Sequence, residues 1–383
     1  MESQKTLSEP RYACPRTGAL LVEDGDRLTD AAGAVAYPIR DGIPRFLRFG
    51  PAETPDMNDR LDRLNRLAAS GWREALQTVF ASDPGMVRYV TEVGRAKFVD
   101  LLPMRADSRV LEIGPGLGQI TCQVAPRVET VCALEVVPGQ AEFVRQRCRQ
   151  QGFMNVHVAV GGDDCRLPYP DGYFDLVVLN LVLEWCASRC EAEDPEAVQQ
   201  RLLDECARVL NASGSLYVAT KNRFALRFVI GKRDEHVHGM RFGNALPRWL
   251  TRLAVRLSRK GRAPGLLHSH GGLSRMLRTA GFARLQSYWA APEVRYPAEY
   301  VPLDAAAVRK ARLRKDFQQG EGRITRALMK RVPASWVRHV TPGLAFLATK
   351  AAVHDSPQTA PTMPSEQGSG KTSPVVQRVF RSA

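Results

Sequence analysis

The 383-residue chain contains no run of about 18 apolar residues, and its first ten residues, MESQKTLSEP, hold no apolar signal core. The pattern therefore argues against a membrane-spanning helix and a secretory leader, and the expectation is a cytoplasmic protein. No internal repeat is evident. The eight cysteines (Cys14, Cys122, Cys132, Cys148, Cys165, Cys186, Cys190 and Cys206) include no CxxC pair. They read as small buried thiols instead of a disulfide framework or a zinc site. Aromatic residues make up 7% of the chain, and no nucleic-acid module with aromatic platforms is apparent. Acid is scarce in one region. Residues 221–350 carry 27 Lys and Arg against 7 Asp and Glu, a net +20, which leaves −6 for the rest of a chain whose total is +14. A field polarised this way favours anionic partners such as phosphates, nucleic acid or an acidic lipid surface. The alternative is a solvated arginine-rich surface. With 44% hydrophobic residues the chain can bury one full-size core, so one main domain plus appendages is expected.

Residues 11–50 read as short strands and turns, with Pro38, Gly42 and Pro44 in the run YPIRDGIP placed for tight turns. Residues 51–94 read as a polar linker and helical lead-in; Trp72 to Leu102 has apolar spacing at Val87, Val90, Val93 and Phe98. From Arg109 strand and helix signals alternate, with strands at 109–113, 131–135, 155–160, 174–180, 214–220, 282–290 and 344–349. That alternation predicts an α/β domain over 95–350, with a mainly parallel seven-stranded sheet and helices on both faces. Residues 352–383 are rich in Pro, Ser, Thr and Gly and are expected to be a disordered tail.

The run VLEIGPGLGQI sets three glycines, Gly114, Gly116 and Gly118, directly after a strand. Glycine allows the sharp turn and lets the backbone approach a ligand. A nicotinamide-type G-x-G-x-x-G needs glycine at 119, where Gln119 stands, while Glu112 upstream fits a different spacing. Glu135 ends the next strand, 23 residues after Glu112, where an acid can accept hydrogen bonds from both hydroxyls of a ribose.

These residues resemble the class I S-adenosylmethionine (SAM) dependent methyltransferase superfamily over roughly residues 95–290. The stretch GDDCRLPYPD, from Gly162 to Asp171, is similar to the GDAxxLPFxD motif of its ubiquinone and menaquinone methyltransferase-like branch. The resemblance implies a Rossmann-like fold and SAM as cofactor, and it implies that Asp163 holds the adenine amine. Tyr173 to Asn180 match the family's fourth strand, which adds Asn180 to the cofactor-binding set of Glu112, Gly114, Gly116, Gly118, Glu135 and Asp163. The N-terminal module resembles the zinc-ribbon-derived activators of methyltransferases through Cys14-Pro15 and YPIRDGIP. With Arg16 and Thr17 where a second ligand would follow, no metal is expected.

Methyl transfer from a sulfonium needs mostly orientation and preorganised electrostatics, with a base only where the acceptor is a hydroxyl. His236 and His238, after the fifth strand, are the candidates for proton transfer or acceptor contact. His268 and His270 precede the last crossover helix. Residues 245–262 space Leu246, Trp249, Leu250, Leu253, Ala254 and Leu257 on one helical face and Arg248, Arg252, Arg256 and Arg259 on another. That helix reads either as a lid packed on the sheet or as a surface meeting membrane phosphates at the inner membrane face. With 303–340 it forms a basic cap insertion (221–280 and 303–340). The expected acceptor is an oxygen of a small molecule or glycan, anionic, as in a lipid-linked or phosphorylated intermediate. RNA methylation is the alternative, and a non-catalytic SAM-binding or partner-binding protein is a third reading. Asn180-Leu181-Val182-Leu183 lacks the NPPY pattern of base methylation.

Overall fold

The computed structural model describes residues 9–49, 54–257, 262–314 and 323–350. The expected disordered tail lies outside the described residues. Five short strands open the chain: β1 (Tyr12–Ala13), β2 (Leu20–Asp24), β3 (Arg27–Asp30), β4 (Ala36–Arg40) and β5 (Ile43–Pro44). They pair antiparallel in that order. Asp41 and Gly42 take φ of 53° and 72° between β4 and β5, the positive-φ pair that a two-residue hairpin of matching twist requires. The module has no separate core. Its Tyr12, Leu21, Leu28 and Phe46 pack into the same apolar cluster as Leu111, Leu134 and Tyr169 of the main domain. Its backbone continues the main sheet, with the Phe46 N–H on the Val160 carbonyl at 2.7 Å.

The lead-in forms α1 (Pro55–Ala68), α2 (Trp72–Val79) and α3 (Pro84–Thr91), followed by a 3-10 segment over Val93–Leu101. Trp72 to Leu102 is thus broken where Asp83 caps Pro84 and again where Glu92 accepts the Gly94 N–H. Val93, expected in the apolar spacing, faces solvent at 61% exposure, while Leu61, Leu64, Leu76, Phe80 and Val90 pack around Phe143.

The central sheet uses β6 (Arg109–Ile113), β7 (Thr130–Glu135), β8 (Val156–Val160), β9 (Phe174–Asn180) and β10 (Leu210–Lys221), all parallel to their neighbours among these five. Helices α4 (Pro138–Gln150) and α5 (Pro195–Val209) connect them. A ribbon of β11 (Arg233–Asp234) and β12 (Met240–Arg241) comes next, then α6 (Arg248–Leu257) and α7 (His270–Thr279). The sheet is completed by β13 (Arg284–Ala291), β14 (Glu299–Pro302) and, after α8 (Ala305–Arg312) and α9 (Arg323–Arg331), by β15 (Gly343–Thr349). The order is β14-β13-β15-β10-β9-β6-β7-β8, with β15 inserted antiparallel between β10 and β13. All seven expected strands are present, and β14 is an eighth that no alternation signalled.

The period of two sends adjacent residues to opposite faces, which is why the central strands are apolar throughout. Leu111, Val177 and Val218 pack on one face, and Val110, Val178 and Tyr217 on the other. There Phe98 stacks on Tyr217 at 4.0 Å, a pairing worth about 1 kcal/mol beyond its buried area. All eight cysteines are free thiols, seven of them buried.

Helix α6 departs from the lid expectation. Trp249, Leu253 and Leu257, assigned above to a packing face, are 66%, 47% and 74% exposed, while the buried residue is Val255. Polar contacts fix this orientation. Arg248 pairs with Glu196 of α5 and lies 3.1 Å from His268 Nδ1, and Thr251 Oγ1 donates to the Gly243 carbonyl at 2.6 Å.

Candidate cofactor and acceptor site

The end of β6 is pinned to β7 by the Gly114 N–H on the Leu134 carbonyl at 2.9 Å, and from there the chain turns through glycines of positive φ. At Gly114 a Cβ would fall 2.5 Å from Val182 Cγ2, so the loop and the segment after β9 touch with no room for a side chain. At Gly116 (φ 57°) a Cβ would meet nothing within 4 Å, which leaves open space against the loop for a ligand. Arg147 on α4 donates to the Leu117 carbonyl at 2.7 Å, and Gln119 Nε2 to the Glu92 carbonyl at 2.9 Å, tying the loop to the lead-in helices.

The two strand-end acids flank this loop. Glu135 accepts the N–H of Gly116 at 3.0 Å through one oxygen and those of Val136 and Val137 at 2.8 and 3.1 Å through the other. Glu112 is buried and accepts from Thr121 Oγ1 at 2.6 Å; burial pushes its carboxyl up to about 8, with the Thr121 hydrogen bond opposing. A buried acid in that state is matched by a cation, because an opposite charge favours its ionised form. Asn180, the last residue of β9, has a buried Oδ1 with no partner among the described residues. Leu181 beyond it takes φ 60°, a strained position for a branched side chain, held by its N–H on the Ala219 carbonyl at 2.8 Å.

Asp163, for which the motif implies an adenine contact, has a second set of partners within the fold. Its carboxylate, 2% exposed, accepts the backbone N–H of Arg48 at 3.0 and 3.1 Å and of Phe49 at 2.7 Å. It thereby anchors the end of the N-terminal module beside the cofactor loops, a long-range contact for which the sequence holds no local signal. The neighbouring Asp164 pairs with Arg48 at 3.7 Å.

The two histidine pairs separate clearly. His236 is fully buried, its Nδ1 lies 2.6 Å from Asp234 Oδ1, its ring stacks on Trp185 at 4.3 Å, and its Nε2 has no partner among the described residues. Burial works against the charge of Asp234, but the hydrogen bonds from His236 hold its carboxyl below the usual range, and Asn244 Nδ2 donates to the other oxygen. A carboxylate on Nδ1 fixes the proton there and leaves the Nε2 lone pair available. His238 instead adopts φ 54° and its Nε2 lies 2.9 Å from the Arg262 carbonyl. Burial lowers His268 to about 3 and His270 to about 4, with nearby cations adding to the effect, so both are neutral, facing Gln199 Oε1 at 2.7 Å and Ser287 Oγ at 3.0 Å.

Glu184 was outside the residues singled out from sequence. It is 1% exposed, its carboxylate oxygens have no hydrogen-bond partner of ordinary geometry among the described residues, and burial raises its pKa while its own backbone N–H, His236, Thr220 and Lys221 oppose. Gly265 explains how this region closes: a Cβ there would lie 2.7 Å from His236 Cδ2 and 3.0 Å from the Glu184 carbonyl. Next to it, through Val237, Asn244 and Gly265, lies a cavity of about 730 Å³ under α6, with an apolar floor of Val255, Leu266 and Leu267. Arg223, Arg256 and Arg262 also line it, and among the described residues none of the three has a carboxylate within ion-pair distance. Arg262 Nη1 donates to the Cys190 and Glu191 carbonyls at 3.0 and 2.6 Å, while its Nη2 is buried with no acceptor among the described residues.

Comparison with known proteins fits this geometry. Residues 111–218 match the model of a methyltransferase domain. The chain is 32% identical over 151 residues to the biotin biosynthesis bifunctional protein BioHC of Cellvibrio japonicus, covering 38% of this chain and 27% of that protein. It is 28% identical over 140 residues to a demethylmenaquinone methyltransferase of Tropheryma whipplei, covering 34% and 53%. With the malonyl-[acyl-carrier protein] O-methyltransferase of Serratia marcescens it shares 26% identity over 214 residues, covering 50% and 77%. The chain spans only about a quarter to a third of the length of the first curated relatives. Among solved structures, a SAM-dependent methyltransferase of Thermotoga maritima aligns at 18% identity and TM-score 0.39, over 72% of this chain and 99% of that one. Residues 111–218 thus match a methyltransferase domain, within a Rossmann-like α/β sheet, and SAM is the cofactor of such methyltransferases.

Proposed function

We propose that the protein transfers a methyl group from SAM to a hydroxyl oxygen of a small molecule or glycan, with Asp234 and His236 acting as the proton acceptor. The observation that carries this reading is the fully buried His236, oriented by Asp234 and left with an unpartnered Nε2. A carboxylate acceptor is already nucleophilic and needs no such group, whereas a hydroxyl does.

SAM supplies an electrophilic methyl on a sulfonium. The residues that fit it are the open loop at Gly114, Gly116 and Gly118, the carboxylates of Glu112 and Glu135, and the orphaned Asn180 Oδ1. Asp163 contributes by holding Arg48 and Phe49 of the N-terminal module against the cofactor loops, so the activator-like module works as a built-in cover. On the acceptor side, His236 Nε2 accepts the hydroxyl proton, Asp234 stabilises the imidazolium that results, and burial keeps water from competing. Glu184 binds the acceptor beside it. The cavity under α6 holds the remainder of the acceptor, with Arg262 Nη2 meeting an oxyanion such as a phosphate or carboxylate.

The experiment incubates the protein and labelled SAM with total cell RNA or with a lipid and metabolite extract. Label in the extract is expected, and label in RNA alone overturns the acceptor reading. Calorimetry tests the cofactor separately: no SAM binding, or binding indifferent to Glu135→Ala, leaves a non-catalytic protein.

A further inference from the structure

We infer that α6 is a docking element for an anionic lipid surface. Trp249, Leu253 and Leu257 lie at i, i+4 and i+8 on one ridge of the helix and are 66%, 47% and 74% exposed, an arrangement that a soluble helix normally turns inward. The inward side is taken by Val255, Thr251 and Arg248, so the outward ridge has no packing duty among the described residues. A second exposed apolar group comprises Val229, Ile230 and Phe242, at 44%, 45% and 47% exposure. Gly231 packs beneath the Phe242 ring, and the Thr251 hydrogen bond to Gly243 brings this group to the start of α6.

Cations flank both groups. Arg252 and Arg256 on α6, and Lys232, Arg233 and Arg241 around the ribbon, are all exposed. The only ion pair among these five in the described residues is Arg252 with Asp194 at 3.4 Å, between side chains 65% and 53% exposed, which is worth little in water. Tryptophan and leucine beside arginine is the composition of a helix lying in a lipid interface, where apolar burial and attraction to acidic headgroups act together. Charge complementarity selects an anionic bilayer over a neutral apolar partner, within a region of net charge +20. The chain has no described helix long and apolar enough to cross a membrane, so this contact is peripheral. It places the cavity under α6 next to the surface from which an amphiphilic acceptor comes.

The test uses the full chain with vesicles of phosphatidylcholine alone or mixed with phosphatidylglycerol, and follows co-sedimentation and tryptophan emission. Retention on the mixed vesicles that weakens with salt, and a blue shift absent in Trp249→Phe, are expected. Lys232→Gln with Arg241→Gln should weaken retention about 25-fold, at about 1 kcal/mol per cation, and Leu253→Glu with Leu257→Glu roughly 100-fold. Neither pair should change SAM affinity or thermal melting, since the altered side chains are exposed and far from the cofactor loops in the chain. Equal retention on neutral vesicles, no retention at all, or a concentration-dependent dimer abolished by the leucine changes overturns the inference. RNA retained where vesicles are not also overturns it. Vesicle binding is read without turnover, so its failure is distinct from failure of the methyltransferase reading.

Discussion

Glu112→Gln is expected to remove a pH dependence of folding that the wild-type protein carries in the absence of ligand. The carboxyl is fully buried and sits at about 8 in the folded state, whereas it returns to 4.5 when unfolded. Below the unfolded value both states hold the proton, and the group has no differential effect. As pH rises from 4.5 towards 8 the unfolded state loses its proton and the folded state keeps it, so stability falls by about 1.4 kcal/mol per pH unit. Between pH 5 and 8 that amounts to about 4 kcal/mol. At about 2 °C per kcal/mol for a chain of this size, the melting temperature should fall by about 8 °C from this residue alone. Other titrating groups contribute to both proteins, so the quantity to plot is the melting temperature of Glu112→Gln minus that of wild type, measured by scanning calorimetry every half pH unit. The difference should grow with pH and level off above 8. A glutamine can still accept the Thr121 hydroxyl, so any packing cost shifts the whole curve and leaves its slope intact. Parallel curves would refute the reasoning, because they would mean that Glu112 is ionised in the folded protein. Saturating SAM should flatten the wild-type curve, since a cation beside the carboxyl favours its charged form.

His236→Ala should slow turnover by roughly 10²–10⁴-fold while leaving SAM affinity within a few-fold; unchanged rates remove the base assignment. Asp234→Asn should reduce turnover in the same direction, with little change in SAM binding measured by calorimetry. Gly114→Ala is expected to abolish SAM binding, because its Cβ meets Val182 at 2.5 Å and its φ is 67°, whereas His238→Ala should leave turnover nearly intact, measured in the same labelled-SAM assay. Asp163→Ala strands the N–H groups of Arg48 and Phe49 and should cost about 2–3 kcal/mol in denaturant melts, with limited proteolysis releasing the N-terminal module first.

The parts of the fold that were legible in the sequence are those written in local pattern. Continuous apolar runs such as Val131 to Leu134 marked the buried parallel strands, and the glycines after Ile113 marked the loop, because both are consequences of backbone geometry within a few residues. Helix boundaries between Trp72 and Leu102 were blurred because Asp83 and Glu92 act as caps, an interaction that periodicity does not register. The orientation of α6 was not legible. Its apolar spacing names a face, but Arg248 and Thr251 choose which face turns inward through partners on α5 and at Gly243, more than a helix length away in the case of Glu196. Asp163 and Glu184 share that limit. The motif around Asp163 gave no sign of the amides that its carboxylate holds 115 residues earlier in the chain, and the enclosure of Glu184 exists only once Gly265 and His236 have closed over it.

The hold of Asp163 on Arg48 and Phe49 also joins parts of the chain that are far apart in sequence. The first 49 residues are synthesised early, yet the carboxylate that secures them is translated 115 residues later, and the strand edge they join, β8, ends at Val160. Closing a loop of that length carries an entropy cost that local hairpins avoid. The native anchoring of the small β-module therefore depends on β8 and Asp163, both far along the chain from the strands they secure. Any opening of that anchor uncovers apolar residues such as Tyr12 and Phe46, which share their cluster with Leu134 and Tyr169, and uncovered apolar surface favours aggregation.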